Sequence, residues 1–303
     1  MVALLAAAAF VAHCCQAAAQ PLRTPERPGF RVDSDLVLVP VTVTDGRGAH
    51  VNGLKKEDFV VLDNKRVQTI TTFYSADAPC SMVLVVDVSG SMRNEIDREK
   101  AVVRAFLDMA NPEDDFSLVT VSSAPGMRAE RTTDPTRIED RVRAESGGGA
   151  TALVDAVYLA SAKGRFASGK RRALLVISDG MDNHSRYTKA ELMRFVEESD
   201  VQIYSIAIEA SPLNLKPIQL AESARGIAFL KELAERTGGF SVRARDFRDA
   251  SAAASRISLA IRNQYVIGYR GSNMDGPESL HRIAVRVDRR KTRVYARSGY
   301  RAP

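Results

Sequence analysis

The chain has 303 residues, 45% of them hydrophobic and 26% charged. This is the composition of a soluble globular protein of one large or two modest domains, long enough to bury a substantial core. A formal net charge of +6 mildly favours acidic partners but does not specify nucleic acid. No stretch beyond the N-terminus is long enough to span a bilayer.

The first 19 residues contain no Asp, Glu, Lys or Arg. Val2 to Ala12 is a short apolar run, and Ala17-Ala18-Ala19 forms a small-x-small pattern before Gln20. Residues 1–19 therefore read as a signal peptide cleaved after about Ala19, and the mature protein is expected to be exported, to the periplasm or beyond. Cleavage would remove Cys14 and Cys15 and leave Cys80 as a lone thiol. That excludes an internal disulfide and suits a small core residue. Residues 20–30 hold three prolines and read as a linker.

Residues 31–79 read as strands and turns. Leu36 to Thr44 is β-rich and stops at Asp45-Gly46; Phe59 to Leu62 leads to a turn at Asp63-Asn64-Lys65-Arg66; Val67 to Tyr74 alternates Thr with apolar residues. The character changes over residues 80–263. Met82 to Val86, Phe116 to Val121, Ala173 to Ile177 and Val201 to Ile208 read as buried strands. Helical spacing covers Glu95 to Met109, Thr151 to Ala162, Lys189 to Glu198, Ile227 to Arg236 and Asp249 to Arg262. A long connection is expected around Ser211 to Asn214 and Glu222 to Arg225. Strands alternating with helices predict a Rossmann-like, doubly wound α/β fold with a parallel sheet covered on both faces. In residues 264–303 strands return alone, at Gln264 to Tyr269, His281 to Val287 and Thr292 to Ala296. Arg289 to Arg293 reads as a solvated hairpin turn. The two β regions are expected to form one small sandwich into which the α/β domain is inserted.

Val85-Val86-Asp87-Val88-Ser89-Gly90-Ser91-Met92 closes the first buried strand and opens a helix. Ligands of open α/β sheets sit beyond the carboxyl ends of the strands, so Asp87, Ser89 and Ser91 should present oxygens there. Ile177-Ser178-Asp179-Gly180 ends another buried strand and brings Asp179 to the same edge. Gly147-Gly148-Gly149-Ala150-Thr151 precedes a helix and can add a third hydroxyl. Two carboxylates and three hydroxyls, without sulfur or imidazole, suit a hard cation, Mg2+ before Mn2+ or Ca2+. Met92, Gly149, Asp182 and His184 are expected on the rim of the site.

Asp87-x-Ser89-x-Ser91 with Thr151 and Asp179 resembles the metal-ion-dependent adhesion site of von Willebrand factor type A domains. The likeness covers about Met82 to Arg262. It implies that the serines and threonine coordinate the metal, that the aspartates hold it directly or through water, and that a ligand carboxylate completes the shell. The flanks, Val41 to Asp45, Gly53 to Phe59, Tyr265 to Tyr269 and Val294 to Tyr300, are similar to a bacterial VWFA-related domain family.

These readings predict a non-enzymatic, metal-dependent protein-binding module whose partner presents a Glu or Asp carboxylate. The alternatives are a metal-assisted hydrolase and an envelope scaffold with a purely structural metal. There is no Gly-x-Ser-x-Gly elbow, and the four histidines lack metalloprotease spacing. Gly164 to Lys170 imitates a phosphate loop but has Arg171 in place of the required Ser or Thr and follows a helix. The few aromatics near Arg289-Arg290-Lys291 argue against a nucleic-acid platform.

Overall fold

The computed structural model of the protein describes residues 36–75, 77–165, 171–209, 217–271 and 280–301. The expected leader and linker, residues 1–30, lie outside them, as do residues 166–170 of the phosphate-loop imitation and the stretch Ser211 to Asn214.

The chain opens with β1 (Leu36–Asp45), β2 (Phe59–Asp63), β3 (Arg66–Gln68) and β4 (Ile70–Ser75). Alternation builds β1: Val37, Val39, Val41 and Val43 point into a core while Leu36 and Leu38 face outward. Asn64 and Lys65, both at positive φ, close the tight turn from β2 to β3. The expected strand Val67 to Tyr74 is in fact two: β3 pairs with β2, whereas β4 joins a different sheet. The phase changes at Thr69: Val67 is exposed, and Ile70, three residues on, is buried.

The α/β part runs β5 (Cys80–Asp87), α1 (Ile96–Leu107), β6 (Asp115–Val121), β7 (Gly126–Thr132), α2 (Pro135–Arg143), α3 (Leu153–Arg165), β8 (Arg171–Ser178), α4 (Lys189–Glu197), β9 (Gln202–Ile208), α5 (Pro217–Thr237), β10 (Ser241–Ala244) and α6 (Phe247–Arg262). Its six strands lie in the order β10-β9-β8-β5-β6-β7. All neighbours are parallel except the edge strand β7, which is antiparallel to β6. Every residue of β5 is buried, because alternate side chains enter two cores. Met82, Leu84 and Val86 pack with α1, α2 and α6. Val83 and Val85 pack with α3, α4 and α5. The winding reverses between β5 and β8, so the loops after these two strands diverge and leave a crevice at their carboxyl ends.

Four strands follow: β11 (Tyr265–Arg270), β12 (Leu280–Val287), β13 (Thr292–Tyr295) and β14 (Gly299–Arg301). They combine with the first four into two antiparallel sheets, β13-β1-β11-β4 and β14-β12-β2-β3, around a shared core that includes Val39, Phe59, Val61, Tyr265 and Ile283. Arg289 to Arg293 is not a hairpin turn, since β12 pairs with β2 and β13 with β1; the segment carries the chain from one sheet to the other.

Residues 35–303 form one compact unit. At the seam between its α/β and all-β parts, the Gln264 Nε2 donates to Gln202 Oε1 and to the Tyr204 hydroxyl, both at 2.7 Å. Thr42 and Thr44 of β1 are buried there on the face opposite the valines, and Arg297 pairs with Asp200 at 2.7 Å. Cys80 is a buried free thiol, pushed up to about 12 by burial.

Candidate metal centre

β5 delivers Asp87 to the crevice, where its N–H and both carboxylate oxygens have fixed partners. Its N–H donates to Glu99 Oε1 at 2.7 Å, its Oδ1 accepts from the Ser89 N–H at 3.1 Å, and its Oδ2 accepts from Ser178 Oγ at 2.5 Å. The chain then makes a 3-10 turn over Gly90–Met92. The turn brings the Ser89 and Ser91 hydroxyls to 3.1 Å from each other. Gly90 has no room for a side chain: its N–H donates to the Gly149 carbonyl at 2.9 Å, and an added Cβ would stand 2.9 Å from that same oxygen.

β8 delivers Asp179. Its Oδ1 accepts from the Met181 N–H at 2.9 Å, and a side-chain hydrogen bond joins it to Ser91. Thr151 is buried and held from one side by the loop after β8. The Asn183 Oδ1 accepts from its N–H at 2.9 Å, while its carbonyl accepts from the Asn183 and His184 N–H groups at 3.0 Å each. The loops after β5 and β8 and the loop before α3 are thus fastened together. Asp87, Ser89, Ser91 and Asp179 form one connected set, with Thr151 clasped beside them.

The rim residues divide. Gly149 and His184 are exposed. Met92, expected on the rim, is 0% exposed and belongs to the core beside α1, because the 3-10 turn rotates its side chain inward. Asp182 is also turned inward: its Oδ1 accepts from the Val154 N–H at 3.1 Å and from Ser185 Oγ at 2.5 Å. It satisfies an otherwise unpaired donor in the first turn of α3. Three contributors went unread in the sequence. Ser178 and Asn183 sit beside motif residues and carried a readable signal. Glu99, twelve residues beyond Asp87 on α1, carried none.

The electrostatics are unfavourable to the carboxylates as they stand. Burial and the neighbouring Asp179 push Asp87 up to about 6, against the hydrogen bonds from Ser178 and Ser89. Burial also raises Asp179. Glu99 is held well above the usual carboxylate range by burial and by Asp87, and its Oε2 has no hydrogen-bond partner among the described residues. Neither Asp87 nor Asp179 forms an ion pair among the described residues. Among the described residues no group of three or more His, Cys, Asp or Glu is arranged to hold a metal ion, so hydroxyl oxygens would have to complete the set. Two buried anions without a cation, ringed by hydroxyls, match the donor chemistry of a hard divalent ion, with Asp87, Ser89, Ser91, Thr151 and Asp179 as the residues to hold it.

A doubly wound sheet with helices on both faces, and oxygen donors gathered at its switch point, defines an open α/β ligand-binding domain. Residues 82–181 match the family model of the von Willebrand factor type A domain, a span that contains all five donors. Over these residues the chain is similar to von Willebrand factor type A domains. A solved structure described as von Willebrand factor type A from Catenulispora acidiphila shares the fold at a TM-score of 0.50 and 12% identity, covering 88% of this chain and 73% of that one. The vWF domain of the type V pili tip protein Mfa5 from Porphyromonas gingivalis aligns at a TM-score of 0.46 and 14% identity, over 61% of this chain and 95% of that one. An uncharacterized protein of Borreliella burgdorferi is 25% identical over 145 residues, 44% of this chain. The match spans 42% of that curated relative's length.

Proposed function

We propose that this protein is an exported interaction module that captures an acidic group of a protein partner at a divalent cation, Mg2+ first, held by Asp87, Ser89, Ser91, Thr151 and Asp179. The observation that carries this reading is the pair of buried carboxylates at the ends of adjacent strands, joined to hydroxyls and without an ion pair among the described residues. Bound there, the ion supplies charge neutralisation and an open coordination position for a carboxylate oxygen. The protein's own groups do the rest: Ser178 and Glu99 fix Asp87, the Asn183 clasp fixes Thr151, and exposed Gly149 and His184 border the approach. Among the described residues no helix is long and apolar enough to cross a membrane.

The test is calorimetric titration of Mg2+ into chelator-stripped protein, followed by a short peptide with a single central Glu and its Gln counterpart. Saturable binding near one ion per chain, lost in Asp87→Ala, with Mg2+-dependent preference for the Glu peptide, is the expected result. Equal peptide binding in chelator, or in Asp87→Ala, would overturn the reading.

A further inference from the structure

A groove of about 820 Å3 lies between α4 and α5, and none of the metal-site donors lines it. Its floor is apolar: Ala190, Met193, Ala228 and Phe229. Three exposed cations, Lys189, Arg194 and Arg225, stand around it. None of the three forms an ion pair with any described residue, and Lys189 instead rests over the Phe229 ring, 4.4 Å from its centre. The two acids in the groove are already engaged. Arg236 binds Glu197 at 2.5 Å and Glu232 at 2.9 Å. An apolar trough between two helices with three unpaired positive charges is complementary to one kind of surface: apolar residues flanked by carboxylates.

We propose that the α4–α5 groove docks an acidic amphipathic helix of a protein partner, as a second contact surface separate from the metal edge. Leucine-like side chains of the partner would fill the trough over Met193 and Ala228, and its glutamates would meet Lys189, Arg194 and Arg225. Nucleic acid is the poorer fit. The one aromatic ring in the groove, Phe229, is buried under Lys189 and offers no stacking face. The groove's upper end does adjoin the metal edge. Lys189 opens α4 directly after the loop that clasps Thr151, and Arg225 precedes Gly226, whose backbone abuts Gly180.

The experiment uses fluorescence anisotropy of a labelled peptide carrying Glu and Leu at helical spacing, titrated with the full chain in chelator. Chelator keeps the outcome independent of the metal reading. Wild type and Asp87→Ala should bind alike, with affinity falling as salt rises. The combined variant Lys189→Glu, Arg194→Glu, Arg225→Glu should lose about tenfold or more. Ala228→Glu, a single exposed position, should lose binding with an unchanged melting temperature and so control for misfolding. Undiminished affinity in both variants, equal binding of a Lys/Leu peptide, or tighter binding of a single-stranded oligonucleotide would each overturn the proposal.

Discussion

Asp87 is held at three atoms, by Glu99, Ser89 and Ser178, so its carboxylate is fixed before any ligand arrives. That preorganisation raises the free energy of the metal-free site. With its pKa raised from 3.8 to about 6, the folded protein holds this proton more tightly than the unfolded chain does. As pH falls from neutral through about 6 toward 4, Asp87 therefore adds stability to the metal-free protein, and above that window its charge opposes folding. A cation needs the anionic form. The rise in melting temperature on adding Mg2+ should be full near pH 7.5 and shrink below about pH 6; scans with Mg2+ or chelator across this range would check it. Glu99 gives a second prediction. Glu99→Gln keeps an acceptor for the Asp87 N–H and should change stability little. Glu99→Ala leaves that buried donor unpaired beside a cavity and should cost about 2–4 kcal/mol in urea denaturation.

At the scale of elements, the loop after β8 and helix α5 meet backbone to backbone. A Cβ added at Gly180, where φ is +78°, would lie 2.3 Å from the Gly226 carbonyl oxygen, and one added at Gly226 would lie 2.6 Å from the Gly180 carbonyl carbon. Gly226→Ala improves helix propensity by about 1 kcal/mol, yet the overlap should outweigh it. A net loss of roughly 1–3 kcal/mol is expected, with weaker Mg2+ binding because the displaced loop carries Asp179. The same glycine explains a misreading. The expected helix Ile227 to Arg236 is in fact α5, Pro217–Thr237. Pro217 and Gly226 look like loop residues until the packing shows one opening the helix and the other allowing a close approach. β7, α2 and β10 went unread for a different reason. β10 has only four residues, β7 buries only Thr132, and α2 buries only Ile138 and Val142, too few apolar positions to register as a period.

For the whole molecule, the seam decides whether the all-β part and the α/β part melt together. Gln264 sits fully enclosed between Gln202 and Tyr204. Thr42 and Thr44 are buried at the same boundary. Both parts should therefore unfold in one transition, with the amides of β1 and β5 exchanging at the same limiting free energy by hydrogen-exchange mass spectrometry. Gln264→Ala, which removes both bonds, should lower that limit in β1 before β5.

The sequence by itself determined the doubly wound α/β class, the two strand ends that carry Asp87 and Asp179, and the chemistry of the donors. These are written in local periodicity and in residue types at fixed spacing, which a strand or turn converts directly into position. Tertiary structure alone decided the rest. It turned Met92 into the core and Asp182 under α3, brought Glu99 behind Asp87, and sent β3 and β4, like β12 and β13, to different sheets. In each case the outcome depends on which buried donors and apolar surfaces meet across long separations in the chain. Local pattern holds no record of those encounters, because the free energy that selects among them exists only once the layers have packed.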